Sequence, residues 1–125
     1  MTRAIVLFAH GARDPRWAEP FAAVAASVRA ALPGCSVALA FLELMEPTLA
    51  DAAAELVAAG ATRIDVVPLF LGTGGHLRSD LPRLVDALRA MHPAVEVRLH
   101  AAIGEHAAVV EAMATAAVAA AGLGE

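Results

Sequence analysis

The stretch VVPLFLGTGGHLRSDLP, from Val66 to Pro82, joins an apolar run to a glycine-rich segment that carries a histidine. A continuous apolar run without polar alternation is typical of a strand that is buried on both faces of a parallel sheet. Three glycines follow, then His76, and a helical pattern resumes near Ser79. The stretch therefore predicts a buried strand that ends in a glycine loop, with an imidazole placed just beyond it.

The same order of strand, loop and helix recurs along the 125 residues. We predict strands over residues 3–9, 36–44, 63–71 and 95–101, and helices over residues 17–32, 48–59, 79–91 and 105–121. Gly60 is expected just past the end of the second helix. Four such units favour a parallel sheet with helices on both faces. We expect one three-layer, flavodoxin-like α/β domain over residues 1–125, with strand order 2-1-3-4.

Composition excludes several classes of function. The net charge of −4 argues against a nucleic-acid-binding protein, because binding to phosphates needs a basic surface. No apolar run reaches the ~18 residues of a membrane span, and the first apolar run is too short for a signal peptide. The only cysteine, Cys35, excludes an internal disulfide and suits a reducing compartment. We expect a cytoplasmic protein that binds neither nucleic acid nor a membrane.

Polar side chains follow three of the predicted strands. His10 follows the first strand, Glu43 lies at the end of the second, and His76 follows the third. Ligands of open parallel sheets bind at the carboxyl ends of the strands, and these three strands are neighbours in the order 2-1-3. Two imidazoles and a carboxylate can hold one divalent metal, or can transfer protons near neutral pH. The alternative for each residue alone is a structural hydrogen bond or a solvated turn.

The glycine segment GTGG has two interpretations. It could cradle a phosphate through backbone N–H groups, but it matches neither the dinucleotide-binding fingerprint nor the P-loop. We favour the second interpretation, in which Gly74 and Gly75 allow the backbone to approach a broad, flat ligand. Gly11, after His10, is a further candidate contact to the ligand.

Charged residues are also expected at this edge of the sheet. Arg13 and Arg78, with Arg16 and Arg83 beside them, would suit a ligand with several carboxylates. The alternative is an ordinary solvated rim. Asp80 is expected to be the N-terminal acid or the cap of the third helix, and it could also orient His76. His100, at the end of the fourth strand, is a weaker candidate for the lining of the same cleft.

Three segments carry a resemblance to a known family: LFAHGARD, AFLELMEPTLADA and VVPLFLGTGGHLRSDLP. They are similar, in order, to the motifs of the small class II tetrapyrrole chelatases, the CbiX/SirB-type sirohydrochlorin chelatases. The resemblance covers nearly the whole chain, and the third segment is the most specific. Ala12 stands where relatives commonly have serine, so one hydroxyl contact is absent.

The resemblance implies a lyase that inserts Co(II) or Fe(II) into sirohydrochlorin in cobalamin or siroheme synthesis. The divalent metal substrate is expected to be Co(II), Fe(II) or Ni(II). It implies that His10, Glu43 and His76 handle the metal, which is a substrate, and that no organic cofactor is needed. The length is that of the short form, which implies a homodimer with the tetrapyrrole cleft facing the partner. Two alternatives remain: a non-catalytic metal or tetrapyrrole carrier, and a flavodoxin-like nucleotide module.

Overall fold

The computed structural model describes residues 2–122. Residue 1 and residues 123–125 of the predicted domain lie outside the described residues. Four parallel strands form one sheet with the order β2-β1-β3-β4, and the prediction of strand order is confirmed. The strands are β1 (Arg3–Ala9), β2 (Ser36–Phe41), β3 (Arg63–Pro68) and β4 (Glu96–Leu99). Three of them end earlier than predicted, so the loops at the carboxyl edge are longer than expected.

The helices are α1 (Glu19–Ala31), α2 (Leu49–Ala58), α3 (Gly75–Met91) and α4 (Ala107–Ala121). Single 3₁₀ turns, Pro15–Ala18 and Ile103–Glu105, precede α1 and α4. Thr48 caps α2, because its hydroxyl accepts a hydrogen bond from the backbone N–H of Asp51 at 3.2 Å. Gly60 follows α2 with φ of +104°, as expected for a residue just past a helix end.

One face of the sheet, which we call the first face, holds the main core. Side chains of a strand alternate between faces, and those of β1 and β3 that point to this face are almost fully buried. Helices α2 and α3 cover it with small and branched apolar side chains. The main members of this cluster are Val6, Phe8, Ile64, Val66, Leu49, Ala53, Val85 and Leu88.

The opposite, or second, face is covered less completely. Helix α1 packs beside β2 there, and Leu7, Ala9 and Ala25 are buried outside the main cluster. Helices therefore lie on both faces, as predicted. Helix α4 is different, because none of its residues is buried. Among residues 2–122, no helix has the length and apolar character needed to cross a membrane.

Candidate active site

The carboxyl ends of β1 and β2 bring His10 and Glu43 together. Ala9 and Phe41 are register partners, and the pairing continues for two more residues. The Glu43 backbone N–H donates to the carbonyl of His10 at 3.1 Å. Beyond it, Nε2 of His10 lies 3.1 Å from Oε1 of Glu43, and both side chains are about half exposed. The edge therefore presents an imidazole–carboxylate pair that is open to solvent and can exchange protons with it.

Gly11 permits this close approach. Its φ is +98°, a conformation that other residues rarely adopt. A Cβ atom at this position would overlap the carbonyl oxygen of Glu43. Gly11 was predicted as a contact to the ligand. In the structure it allows the loop after β1 to pack closely against the loop after β2.

Phe70 packs against the imidazole of His10. Its ring lies edge-on to the His10 ring, with centroids 6.1 Å apart, and also edge-on to Phe8 at 6.1 Å. Phe70 is buried, so it connects His10 to the main core. This contact was not predicted. The sequence signal was the aromatic residue in the PLFL run, which was assigned only to the strand.

The loop after β3 is held by Gly104. Its backbone N–H donates to the carbonyl of Phe70 at 2.9 Å, and a Cβ there would overlap the backbone of Leu71. The 3₁₀ turn before α4 thus packs directly against the start of the glycine segment. Sequence reasoning missed Gly104, since an isolated glycine in a loop is a common feature.

His76 lies in the first turn of α3, not in a loop. The helix begins at Gly75, with Gly74 as a cap that makes no side-chain hydrogen bond, four residues before the predicted start. His76 is exposed and forms no recorded hydrogen bond with His10 or Glu43. Among residues 2–122, no three histidine, cysteine or acidic residues are grouped closely enough to hold a metal. The structure brings His10 and Glu43 together. The metal site of His10, Glu43 and His76 stays a prediction.

The four arginines at this edge fall into two groups. Arg16 pairs with Asp14 and Arg83 pairs with Asp80, each at 2.9 Å. The hydrogen bond from the Arg16 side chain lowers the pKa of Asp14 below its ordinary value. Of the residues described, none forms an ion pair with Arg13 or Arg78. These two guanidinium groups are therefore available to a ligand.

The prediction that Asp80 is the N-terminal acid or the cap of the third helix is wrong. Helix α3 starts five residues earlier than this carboxylate, so Asp80 lies within the helix, where it pairs with Arg83 three residues on. Its side chain makes no recorded hydrogen bond to His76, and the proposed orienting contact is not seen in the described residues.

Two exposed leucines border the His10–Glu43 pair. Leu44 follows Glu43 and is 59% exposed, and Leu71, at the start of the loop after β3, is 65% exposed. Leu44 also has φ of +65°, which is unfavourable for a residue with a branched side chain. Such strain tends to occur at functional sites. The edge thus offers polar groups for chemistry and apolar groups that could contact a flat ring.

His100 is engaged elsewhere. Its Nε2 lies 2.7 Å from Oδ1 of Asp65, a buried carboxylate on the second face that also binds Arg63 and Arg3. Burial alone would raise the pKa of Asp65, but the hydrogen bonds from Arg63, His100 and Arg3 outweigh it and lower the pKa below 3.8. The expected place for His100 in the cleft is not supported, since its side chain joins this structural network.

We expect this network to make the fold sensitive to acid. A carboxyl whose pKa is lower in the folded state stabilises the fold above its ordinary value of 3.8, and this contribution disappears as the pH falls through the folded value. Urea unfolding at pH 7 to 2.5 should show the free energy of unfolding falling below pH 4. The fall should be smaller in Asp65→Asn and unchanged in Asp86→Asn, a control whose exposed carboxylate pairs with Arg89. An equal fall in all three proteins would contradict this assignment.

Comparisons with known proteins bear on the family and the fold of the chain. The CbiX family model matches residues 4–120. The sirohydrochlorin ferrochelatase of Bacillus subtilis is 33% identical over 113 residues, which are 90% of this chain and 43% of that protein. The sirohydrochlorin cobaltochelatase of Saccharolobus solfataricus is 38% identical over 81 residues, which are 65% of this chain and 62% of that protein. The chain thus matches only about half the length of these curated relatives.

Two solved structures share the fold. A CbiX protein of Marinobacter aquaeolei, described as a putative cobalamin biosynthesis protein, has a TM-score of 0.82 and 35% identity, covering 92% of this chain and 93% of its own. The sirohydrochlorin chelatase SirB of Bacillus subtilis subspecies spizizenii, in complex with cobalt, has a TM-score of 0.81 and 31% identity, covering 92% of this chain and 49% of its own. Because the family model matches nearly the whole chain, residues 4–120, the chain belongs to the CbiX family.

Proposed function

We propose that this protein is a sirohydrochlorin chelatase that inserts Co(II) or Fe(II) into the macrocycle. The relatives named as ferrochelatase and cobaltochelatase support the reaction class. The observation that carries the proposal is the His10–Glu43 pair, 3.1 Å apart and half exposed at the carboxyl edge of the sheet. The metal and the tetrapyrrole are both substrates, and the product is the metal chelate with two protons released.

The His10–Glu43 contact suggests how a proton is accepted. If Nε2–H of His10 donates to the Glu43 carboxylate, the ring is held in one tautomer and Nδ1 keeps a free lone pair. That nitrogen can accept an inner N–H proton of the macrocycle or bind the incoming metal through its lone pair. The half-exposed Glu43 then stabilises the imidazolium and passes the proton to water.

The start of α3 would hold the substrate. Gly74 and Gly75 leave the backbone N–H groups of the first turn without a side-chain cap, and Arg78 lies one turn further on. These groups and Arg13 suit the carboxylate side chains of a tetrapyrrole, since helix N-termini and guanidinium groups both favour anions. Leu44 and Leu71 would contact the apolar surface of the ring. We assign His76 a metal-delivery role at this end of the cleft.

We expect His76→Ala to lower the rate of Co(II) insertion by about 100-fold, because the cleft would lose one of two imidazoles that bind metal or accept protons. The measurement is the change in the visible spectrum of sirohydrochlorin with time. His92→Ala is the matched control, because His92 lies just past the other end of α3. A rate like that of the wild type would remove His76 from the mechanism. Binding of both substrates by the wild type without faster insertion would favour the carrier alternative.

The metal and the pathway need a separate measurement. Imidazole and carboxylate ligands suit cobalt, iron and nickel alike, so the residues alone do not select between cobalamin and siroheme synthesis. Steady-state rates with Co(II), Fe(II) and Ni(II) on the same macrocycle would rank them.

We also propose that two copies of the chain form the working enzyme in the cytoplasm. The SirB chain is about twice as long as the segment that matches here, which is compatible with a second copy supplying the other half of the cleft. The cytoplasmic location is supported by the single free cysteine.

A further inference from the structure

The hydrogen bond to Glu43 does not by itself fix the plane of the His10 ring. The side chain of His10 is half exposed, and among residues 2–122 its ring forms one hydrogen-bond contact, in which Nε2 lies 3.1 Å from Oε1 of Glu43. Rotation about the Cβ–Cγ bond of a histidine is only weakly restricted, so a single contact at Nε2 leaves the ring free to tilt. The direction of the Nδ1 lone pair, which accepts the proton in the proposed function, would then vary.

The ring of Phe70 lies where it restricts this tilt. Phe8 and Pro68 are register partners, so two residues further along the two strands His10 lies beside Phe70. The Phe70 ring is inclined at 82° to the His10 ring and at 77° to the Phe8 ring, with centroids 6.1 Å apart in both pairs. Edge-to-face pairs of rings are favourable at this separation. Because Phe8 and Phe70 are buried, Phe70 presents a fixed surface to the imidazole.

The backbone around Phe70 is held from two sides. The N–H of Leu69 donates to the carbonyl of Phe8 at 2.8 Å, which ties the segment to the end of β1. The N–H of Gly104 donates to the carbonyl of Phe70 at 2.9 Å. A Cβ atom on Gly104 would overlap the backbone of Leu71, so the turn before α4 can lie this close only with glycine there. The position of Phe70 therefore depends on both β1 and that turn.

We propose that Phe70 is a positioning residue for His10, and that the turn before α4 holds it in place through Gly104. The ring of Phe70 fixes the plane of the imidazole, so that Nδ1 keeps one direction while Nε2 contacts Glu43. The inference rests on the proposed chelatase function and adds to it a residue that is only 6% exposed. A merely structural role of Phe70 would affect stability, whereas a positioning role affects the rate through His10.

The contact between the two rings can be tested without substrate. In NMR spectra of the full-length wild type, we expect nuclear Overhauser effects between the ring protons of His10 and Phe70. The His10 signals, identified by their absence from His10→Ala, should also be displaced by the ring current of Phe70. In Phe70→Leu they should move towards those of a freely exposed histidine. A wild type that shows neither effect overturns the proposal.

The rate of Co(II) insertion into sirohydrochlorin tests what the contact does. At a temperature where it is folded, Phe70→Leu should lower kcat about 10-fold and leave KM for sirohydrochlorin unchanged, because a loosely oriented group acts less effectively. In the His10→Ala background the same change should lower kcat little further, since Phe70 acts through His10. Leu88→Ala, a buried core position near the other end of α3, is the matched control for lost packing and should keep the wild-type kcat. Equal losses in Phe70→Leu and Leu88→Ala, or an undiminished effect of Phe70→Leu without His10, overturn the positioning role.

Gly104→Ala moves Phe70 without changing its ring. The added methyl group must displace the backbone of Leu71, so kcat should fall as in Phe70→Leu, and again only when His10 is present. Gly34→Ala is the matched control, because among residues 2–122 no atom beyond Gly34 and its two chain neighbours lies within 4 Å of the position of its Cβ. A wild-type kcat in Gly104→Ala overturns the role given to the turn.

Two further arms keep the outcome clear. If circular dichroism shows that Phe70→Leu is unfolded, Phe70→Met repeats the test, because the flexible methionine side chain adapts to fill the space of the ring. A wild type that inserts Co(II) no faster than the free reactants overturns the chelatase function. An active wild type with equally active Phe70 variants overturns the positioning role alone.

Discussion

Replacing His10 with alanine is expected to lower the rate of sirohydrochlorin metallation by at least about 100-fold, with the fold unchanged. A positioned acid–base group typically contributes 10²- to 10⁴-fold to a rate, and the structure pairs His10 with the half-exposed carboxylate of Glu43. Its side chain is half exposed, so its removal leaves little empty space in the core. The measurement is the initial rate with Co(II), followed in the visible spectrum, together with circular dichroism.

Glu43→Gln separates a shared role from two independent ones. If the carboxylate acts through the ring of His10, the single variant Glu43→Gln should lower the insertion rate. Added to His10→Ala in a double variant, the same change should lower the rate little further. Multiplicative losses in the double variant would mean that the two residues act separately. A His10→Ala enzyme as fast as the wild type would contradict the proposed mechanism.

The sheet and its active edge could be predicted from the residues because double-sided burial leaves a direct signal. Strands buried on both faces read as continuous apolar runs, and the carboxyl ends of β1 and β2 bring His10 to Glu43 in any sheet of the order 2-1-3. The ends of these strands could not be predicted in the same way. An apolar run continues past Phe41 and Pro68, where the regular strands end, since hydrophobicity alone does not report where strand geometry ends.

The start of α3 was misjudged for a different reason. Glycines disfavour helix by about 1 kcal/mol each, so Gly74 and Gly75 predicted a loop. At the first turn this preference matters less, because the backbone N–H groups there need no partner within the helix. The helix therefore extends back to include His76, and Asp80 falls within it. Likewise, an alanine-rich sequence predicts that α4 is helical, but its weak apolar periodicity does not show that it lies apart from the sheet.

Gly11→Ala is expected to damage both stability and catalysis. The residue has φ of +98°, and the added methyl group would overlap the Glu43 carbonyl, so the loop after β2 must move. Strain of this kind, together with the displaced backbone, should lower the free energy of unfolding by on the order of 3 kcal/mol. Because the same movement separates Glu43 from His10, the rate of metal insertion should fall even at temperatures where the variant is folded. Urea unfolding and the initial rate with Co(II) measure the two effects.

Gly60→Ala is the matched control, since it separates backbone conformation from close approach. Gly60 has nearly the same φ, +104°, but among residues 2–122 no atom beyond Gly60 and its two chain neighbours lies within 4 Å of the position of its Cβ. Alanine there should lower stability only by the cost of the left-handed conformation, about 1 kcal/mol, and should leave the insertion rate unchanged. The difference in the free energy of unfolding between Gly11→Ala and Gly60→Ala therefore measures the contribution of the close approach between the loops after β1 and β2. Equal losses of stability, with full activity in Gly11→Ala, would mean that the His10–Glu43 pair does not depend on Gly11.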